Sequence, residues 1–243
     1  MPDFVRLGAA RGGPAGALAR IPMPRNEFSS LLVSAPMIFA LDLEGVLAPE
    51  IWPILGAHFG VPEFSLTTRD TADFEDLMRR RGAGAAQAGL RLADLTSIAH
   101  AVEPYLGARD FLARLRSMGN VIIISDTFHE FSEPLAAKLG HASLFANRFE
   151  LDAGGHITGF KLRIRGQKER IVSGFHSAGY RVAAMGDSLN DLSLLKSCDF
   201  PVLYRPVEAL AREFNGVQPV HNLDDALALL EDAWRKVEEN GTG

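Results

Sequence analysis

The chain has 243 residues, of which 47% are hydrophobic and 23% are charged, and its formal net charge is -5. This length and composition predict a globular protein with one sizeable core and a subdomain, and they argue against disorder. The small negative charge, without a basic face or an aromatic-interleaved stripe, gives no reason to expect a nucleic-acid partner.

Residues 1–36 mix Gly, Ala, Pro and Arg with little periodicity, and we interpret them as a disordered, or at most loosely ordered, N-terminal extension. Met37 stands directly before the first predicted strand and is an alternative start. The longest apolar run, 31–41, is broken by a serine and a proline and is shorter than the ~20 residues of a membrane span. A lone cysteine, Cys198, fits a reducing compartment. We therefore expect a cytoplasmic protein without a membrane segment.

From residue 38 onward, short apolar runs alternate with amphipathic helical patterns. The predicted strands are Ile38–Leu43, Val121–Ser125, Arg181–Met185 and Phe200–Tyr204. The predicted helices are Phe111–Ser117, Phe131–Leu139, Glu169–Ser177 and Val207–Phe214. This alternation predicts an α/β fold, in which helices cover both faces of a parallel sheet. Residues 151–165, with Gly154-Gly155 at the turn, predict a β-hairpin inserted in the series.

The segment 51–104 is different, because it has helical periodicity and no convincing strand. We interpret it as a small helical cap that is inserted after the first strand, above the carboxyl ends of the sheet. The predicted core then consists of residues 37–50 and 105–243.

Polar side chains occur at four points around the predicted strand ends. They are Asp42-Leu43-Glu44-Gly45, Ser125-Asp126-Thr127, Lys168, and the run GDSLND at 186–191. In open α/β sheets, ligands bind outside the carboxyl ends of the strands. Each signal alone has an ordinary explanation as a cap, a turn or a solvated lysine. The four together, in this order, predict a single site.

This set of residues supplies what phosphoryl transfer requires. Asp42 and Glu44, two residues apart in an extended chain, project to the same side, so that one carboxylate can attack while the other moves a proton. A hydroxyl such as Ser125 and a cation such as Lys168 can hold the remaining phosphoryl oxygens. Mg²⁺ prefers carboxylate oxygens, and Asp187 is the natural second ligand beside Asp42.

These motifs resemble the haloacid dehalogenase (HAD) superfamily over Met37 to about Glu231. Within the superfamily, the chain is most similar to phosphoserine phosphatases, and among them to the branch described as bifunctional phosphoserine phosphatase and homoserine phosphotransferase. The segments that carry this similarity are DLEGVLAPEIW at 42–52, TTRD at 67–70, SDTFHEFSEPL at 125–135, FANRFE at 145–150 and GDSLND. The resemblance implies a Rossmann-like core with a small helical cap. It also implies a Mg²⁺-dependent phosphoric monoester hydrolase of serine biosynthesis.

Carried over position by position, the resemblance implies that Asp42 is the nucleophile and forms a phosphoaspartate. Asp42, the backbone carbonyl of Glu44, and Asp187 would hold Mg²⁺, with Asp191 supporting the metal shell. The Glu44 carboxyl would protonate the leaving serine oxygen and then take a proton from water. The residues that would bind phosphoryl oxygens are Ser125 and Lys168.

For the substrate, the resemblance implies that Glu50 meets the ammonium group of O-phosphoserine and Arg81 its carboxylate. Phe74 would close over the site, and Asn190 would orient the substrate or Lys168. One alternative is that Arg81 and its neighbours at 79–80 form a solvated helical face, and that Glu50 is an ordinary rim residue.

Several alternatives stay open. Most phosphatases of the superfamily have Asp at the position of Glu44, and the longer side chain leaves room for homoserine as acceptor in place of water. The substrate could be another small phosphate monoester, and a non-catalytic phospho-ligand module is a further alternative. A homodimer follows by analogy alone. We expect Trp52 to be a core or subdomain-interface residue, and Asp126 and Thr127 either to line the site or to cap the next helix.

Overall fold

A six-stranded sheet organises the computed structural model, which describes residues 36–67, 73–140, 143–162 and 168–240. The strands are β1 Met37–Leu41, β2 Asn120–Phe128, β3 Ser143–Leu151, β4 Ile157–Lys161, β5 Arg181–Gly186 and β6 Phe200–Leu203. Their order across the sheet is β4-β3-β2-β1-β5-β6, and among the strand pairs of the described residues only β3–β4 is antiparallel. The predicted α/β fold is confirmed.

The helices of the described residues follow the strands in the expected alternation. They are α1 Ile51–Phe59, α2 Phe74–Gln87, α3 Leu92–Ala99, α4 Ala108–Arg116, α5 His129–Lys138, α6 Glu169–Ser177, α7 Leu192–Ser197, α8 Glu208–Ala211 and α9 Leu223–Asn240. Short 3-10 helices cover Pro62–Ser65 and Leu189–Asp191. Within the described part of the chain, no helix combines the length and the apolarity that crossing a bilayer demands.

Strand β1 lies in the middle of the sheet and is buried along its whole length. Its side chains alternate, as period-2 geometry requires: Phe39 and Leu41 enter one apolar cluster, and Ile38 and Ala40 enter the other. Helices α4 and α9 contribute to the first cluster, whereas α6, α7 and α8 contribute to the second. A strand buried on both faces explains why the sequence there is an unbroken apolar run.

The prediction was wrong in detail at the edge of the sheet. The hairpin expected over 151–165 is real only in part: its first strand begins at Ser143 and pairs in parallel with β2 before it turns back antiparallel to β4. The hairpin therefore extends the main sheet by two strands. The pairing of β2 with β3 also shifts register between Ile124 and Phe128, so that residues 125–127 depart from regular pairing inside a strand.

Helices α1, α2 and α3 occupy the predicted cap, and no strand occurs among its described residues, which are 51–67 and 73–104. The division into cap and core stays a prediction. The predicted N-terminal extension, apart from Pro36, and most of the TTRD motif lie outside the described residues.

Core packing by α4 can be tested with two matched leucines in helices. Leu112 in α4 is fully buried, whereas Leu229 in α9 is 42% exposed. We expect Leu112→Ala to lower the free energy of unfolding by about 2–5 kcal/mol, because it leaves a cavity. Leu229→Ala should cost less than about 1 kcal/mol. Urea unfolding of both variants measures the difference; equal losses would contradict the assigned packing.

Candidate active site

A polar cavity lies at the carboxyl ends of β1, β2 and β5. Eight of the ten predicted site residues line it: Asp42, Glu44, Glu50, Phe74, Arg81, Ser125, Asp187 and Asn190. Four further residues, Trp52, Asp126, Thr127 and Ser188, complete the lining. The other two predicted residues, Lys168 and Asp191, are fully buried behind the cavity and contact the residues that form its floor.

Asp42 is the first residue after β1, and backbone pairing fixes its position. Its N–H donates to the carbonyl of Met185 in β5 (3.0 Å), and its Oδ1 accepts the N–H of Leu43 (2.8 Å). The next turn is tight because Gly45 has φ +82° and packs against Asp187. A Cβ at Gly45 would overlap the Asp187 carboxylate. Glycine at this position therefore lets two acidic loops approach each other.

The ammonium group of Lys168 lies among three carboxylates that come from three different strand ends. Its Nζ is 2.7 Å from Asp191 Oδ1 and 3.4 Å from both Asp42 Oδ2 and Asp126 Oδ2. Burial alone would lower the pKa of Lys168, but the three carboxylates outweigh burial and hold its pKa well above the usual value. Lys168 is therefore a permanent buried cation.

Burial raises the pKa of Asp42 well above its usual value, and repulsion from Asp191 adds to this effect, while Lys168 opposes it. Among the described residues, four carboxylates (Asp42, Asp126, Asp187 and Asp191) surround a single ammonium group, that of Lys168. A bound cation would therefore stabilise the ionised form of Asp42.

The donor set fits a divalent metal ion. One carboxylate oxygen from each of Asp42, Asp187 and Asp191 lies within 4.8 Å of the others. Opposite oxygen ligands of Mg²⁺ lie about 4 Å apart, so the cluster has suitable dimensions. Asp191 is already occupied, since its Oδ1 binds Lys168 and its Oδ2 accepts the N–H groups of Asp187 and Ser188. Asp191 thus orients the loop that carries Asp187.

Gly186 allows this arrangement, because a Cβ there would overlap the Asp191 side chain. On the opposite side, Asn190 Nδ2 donates to Asp126 Oδ2 (2.8 Å), and Ser188 donates to the Asn190 amide oxygen. The carboxyl end of β2 and the loop that follows β5 are thereby joined. Asp126 holds Asn190 and Lys168, so it contributes to the electrostatics of the site and not to a helix cap.

The helix α5 indeed begins without a side-chain cap from Asp126 or Thr127. The capping alternative for these residues was wrong. Thr127 lines the cavity, and its buried Oγ1 makes no hydrogen bond within the described residues. The signal that could have found both residues is their place directly after Ser125 in β2.

Within the described part of the chain, a single carboxylate oxygen of Glu44 accepts a hydrogen bond. Its Oε2 accepts the N–H of Ile51 at the start of α1 (3.1 Å), while the buried Oε1 has no hydrogen-bond partner among the described residues. Burial raises the pKa of Glu44, against the opposing influence of the nearby Thr127 hydroxyl, the Ile51 N–H and Arg81. A carboxyl with a raised pKa can hold a proton closer to neutral pH, as a general acid needs.

Helix α2 presents Arg81 to the cavity. Asp73 caps the helix by accepting the N–H of Asp76 (2.9 Å), and the buried face of α2 includes Leu77 and Arg81, four residues apart. Arg81 is only 5% exposed. Its neighbours Arg79 and Arg80 are exposed and pair with Asp76 (2.7 Å each). The solvated-face alternative is therefore right for these two residues and wrong for Arg81.

Trp52 was missed as a site residue, although the core prediction for it was sound. The indole is 5% exposed, yet it lines the cavity, and the Arg81 guanidinium lies 4.6 Å from the ring centroid. Cys198 takes no part: burial raises the pKa of its thiol to about 12, so the reactive thiolate does not form at neutral pH.

A family model described as haloacid dehalogenase-like hydrolase matches residues 47–196, which is more than half of the chain. The chain belongs to the haloacid dehalogenase-like hydrolases. This confirms the resemblance that the motifs indicated, and the polar cavity is the candidate active site of this hydrolase.

Relatives of this hydrolase carry more specific names. It is 38% identical over 188 residues to "Phosphoserine phosphatase ThrH" of Pseudomonas aeruginosa, which covers 77% of this chain and 92% of the relative. It is 37% identical over 207 residues to "Phosphoserine phosphatase" of Pseudomonas syringae pv. tomato. This match covers 85% of this chain and 87% of the relative. A solved phospho-aspartyl intermediate analogue of phosphoserine phosphatase shares the fold, with a TM-score of 0.68 at 19% identity over 80% of this chain and 98% of that chain.

The close packing of Gly45 against Asp187 can be tested by an alanine substitution, with a second glycine of the same backbone conformation as the control. Gly45 and Gly155 both have φ +82°, but a Cβ at Gly155 would meet none of the described residues within 4 Å. Both alanine variants should lose about 1 kcal/mol of unfolding free energy from the left-handed backbone. If Mg²⁺ binds the acidic cluster, millimolar Mg²⁺ should raise the melting temperature of the wild type and of Gly155→Ala. Gly45→Ala should lose this increase, because the added Cβ displaces Asp187. An undiminished Mg²⁺ effect in Gly45→Ala would contradict the proposed packing of the two acidic loops.

Proposed function

We propose that this hydrolase is a phosphoserine phosphatase that acts through a phosphoaspartate on Asp42. The observation that carries the proposal is that Asp42 and Glu44 share one cavity with an anion, Glu50, and a cation, Arg81. The names of the two Pseudomonas relatives support the same substrate.

The substrate assignment follows from three charged groups. O-phosphoserine carries a phosphate, an ammonium and a carboxylate, and an amino-acid headgroup needs one protein anion and one protein cation. The guanidinium of Arg81 suits a carboxylate, since its planar N–H groups match the two oxygens. Glu50 is the candidate partner of the ammonium group. The phosphate would then lie between Asp42 and Ser125, at the sheet end of the cavity.

In the first step, an oxygen of Asp42 attacks phosphorus, and the bond between phosphorus and the serine oxygen breaks. Glu44 gives its proton to that oxygen, so that serine leaves as a neutral alcohol. The raised pKa of Glu44 favours this protonated starting form. The Ser125 hydroxyl, which lines the cavity, would donate a hydrogen bond to a phosphoryl oxygen, and Lys168 would balance charge from behind Asp42.

In the second step, water attacks the phosphorus of the phosphoaspartate while Glu44 takes its proton, and the bond to Asp42 breaks to release phosphate. If the hydroxyl of homoserine attacks in place of water, the same residues give O-phosphohomoserine. We propose hydrolysis as the main activity and transfer to homoserine as an alternative outcome of this second step.

Mg²⁺ would be held by the carboxylates of Asp42 and Asp187 and the backbone carbonyl of Glu44, with Asp191 supporting Asp187. When bound, it neutralises negative charge where the carboxylate and the phosphate approach each other. We further propose that α1, α2 and α3 act as the cap, because Glu50, Trp52, Phe74 and Arg81 reach the cavity from α1, α2 and the residue before α1.

The nucleophile is tested by Asp42→Asn, which keeps the size of the side chain and removes its nucleophilic oxygen. We expect less than a few percent of the wild-type rate of phosphate release from O-phosphoserine, with an unchanged circular-dichroism spectrum. When the reaction with ³²P-labelled O-phosphoserine is quenched rapidly in acid, the wild type should retain protein-bound ³²P as a phosphoenzyme, and Asp42→Asn should not. The matched control is Asp232→Asn on the surface of α9, which should leave the rate unchanged. A higher residual rate in Asp42→Asn would refute the assignment of Asp42 as the nucleophile. Equal turnover of sugar phosphates and O-phosphoserine by the wild type would refute O-phosphoserine as the specific substrate.

The proton carrier is tested by Glu44→Gln and Glu44→Asp. Glu44→Gln cannot give or take a proton, so kcat should fall about 10²- to 10⁴-fold. Glu44→Asp keeps the carboxyl and should retain more activity than Glu44→Gln. Release of phosphate and formation of O-phosphohomoserine are measured together, with and without homoserine. Equal rates for Glu44→Gln and the wild type would exclude the acid–base role.

A further inference from the structure

The side chain of Arg81 rests against the indole of Trp52. The distance from the guanidinium carbon to the ring centroid is 4.6 Å, and both residues are 5% exposed. The face of an aromatic ring attracts a cation, and Trp does so most strongly among the aromatic side chains. Because water is largely excluded here, this contact has more influence on the position of Arg81 than it would have at the surface.

Trp52 is itself held by aromatic neighbours from three elements. Its ring makes T-shaped contacts with Phe64, Phe131 and Phe149, with centroid distances of 5.0, 5.4 and 6.3 Å. These phenylalanines belong to the 3-10 helix Pro62–Ser65, to α5 and to β3. A ring packed in this way has one available orientation, so it can act as a fixed support.

Arg81 is also held from a second direction, because its Nη2 donates to the carbonyl of Leu66. The carbonyl and the indole together restrict the rotation of a side chain that is otherwise long and flexible. A guanidinium binds a carboxylate through two parallel N–H groups only when its plane is correctly oriented.

We propose that Trp52 is a positioning residue for substrate selectivity: it holds the Arg81 guanidinium in the orientation that binds the carboxylate of the substrate. This inference rests on the proposed function and deepens it. Trp52 has no role in the chemistry at phosphorus. Its effect should therefore depend on whether the substrate has a carboxylate.

A purely structural role for Trp52 makes a different prediction. If the indole only fills the core beneath the cavity, its loss disturbs all substrates alike. Two substrates separate the alternatives: O-phosphoserine and phosphoethanolamine, which is the same molecule without the carboxylate. The selectivity, defined as the ratio of kcat/KM for O-phosphoserine to that for phosphoethanolamine, is the quantity to measure.

We expect the wild type to prefer O-phosphoserine and Trp52→Leu to lower this selectivity about tenfold, mainly through a higher KM for O-phosphoserine. Trp52→Phe keeps a smaller aromatic face and should fall between the two. Circular dichroism and thermal unfolding establish that each variant is folded; if Trp52→Leu is not, Trp52→Phe still decides. Unchanged selectivity in the folded variants would overturn the proposal.

Coupling to Arg81 is tested by the double variant. In an Arg81→Ala background, Trp52→Leu should change the selectivity less than twofold, because the group that it positions is gone. Additive effects of the two substitutions would mean that Trp52 acts independently of Arg81, and would also overturn the inference.

The outcomes separate this inference from the proposed function. If the wild type does not hydrolyse O-phosphoserine, the proposed function fails and the inference falls with it. If the wild type prefers O-phosphoserine and the Trp52 variants keep that preference, only the inference fails.

Discussion

The arrangement of the candidate active site depends on one buried cation. Lys168 is 1% exposed, and it lies among carboxylates supplied by the loop after β1, by β2 and by the loop after β5. Without it, the buried carboxylates of Asp42 and Asp191 and the partly exposed carboxylate of Asp126 would repel one another. Leaving buried charges unpaired costs several kcal/mol. With Lys168 present, Asp191 uses both oxygens inside the protein, whereas Asp42 and Asp187 also line the cavity. This pairing therefore separates a carboxylate that supports the loop, Asp191, from two carboxylates that face the cavity, Asp42 and Asp187.

The sheet and the chemical groups at its carboxyl ends could be predicted because both leave local signals. Apolar runs buried on two faces mark β1, β2 and β5, and their carboxyl ends carry several acids, which a core seldom contains without partners. Gly45 and Gly186 were part of those motifs, yet only the structure explains them: each makes room for an acid from elsewhere in the fold.

What could not be predicted depends on contacts between distant segments. Strand β3 carries polar and charged side chains at several positions, and its two pairings, parallel on one side and antiparallel on the other, follow from its neighbours and not from its sequence. Trp52 is correctly recognised as a core residue, but its contact with Arg81 joins two helices that are separated by a 3-10 turn and residues 68–72. Asp126 has the chemistry of a cap, and its actual partners lie 42 and 64 positions further along the chain.

The close spacing of Asp42, Glu44, Glu50 and Trp52 has a consequence for protein engineering. The segment from β1 into the first turn of α1 carries the proposed nucleophile, the proposed proton carrier, the candidate ammonium partner and the proposed aromatic support of Arg81. One continuous peptide thus carries part of the proposed reaction chemistry and part of the proposed headgroup recognition, while Arg81 and Ser125 come from other elements. A graft of this peptide onto a related scaffold would transfer both properties together, provided that the host supplies a lysine beneath it and an arginine above it.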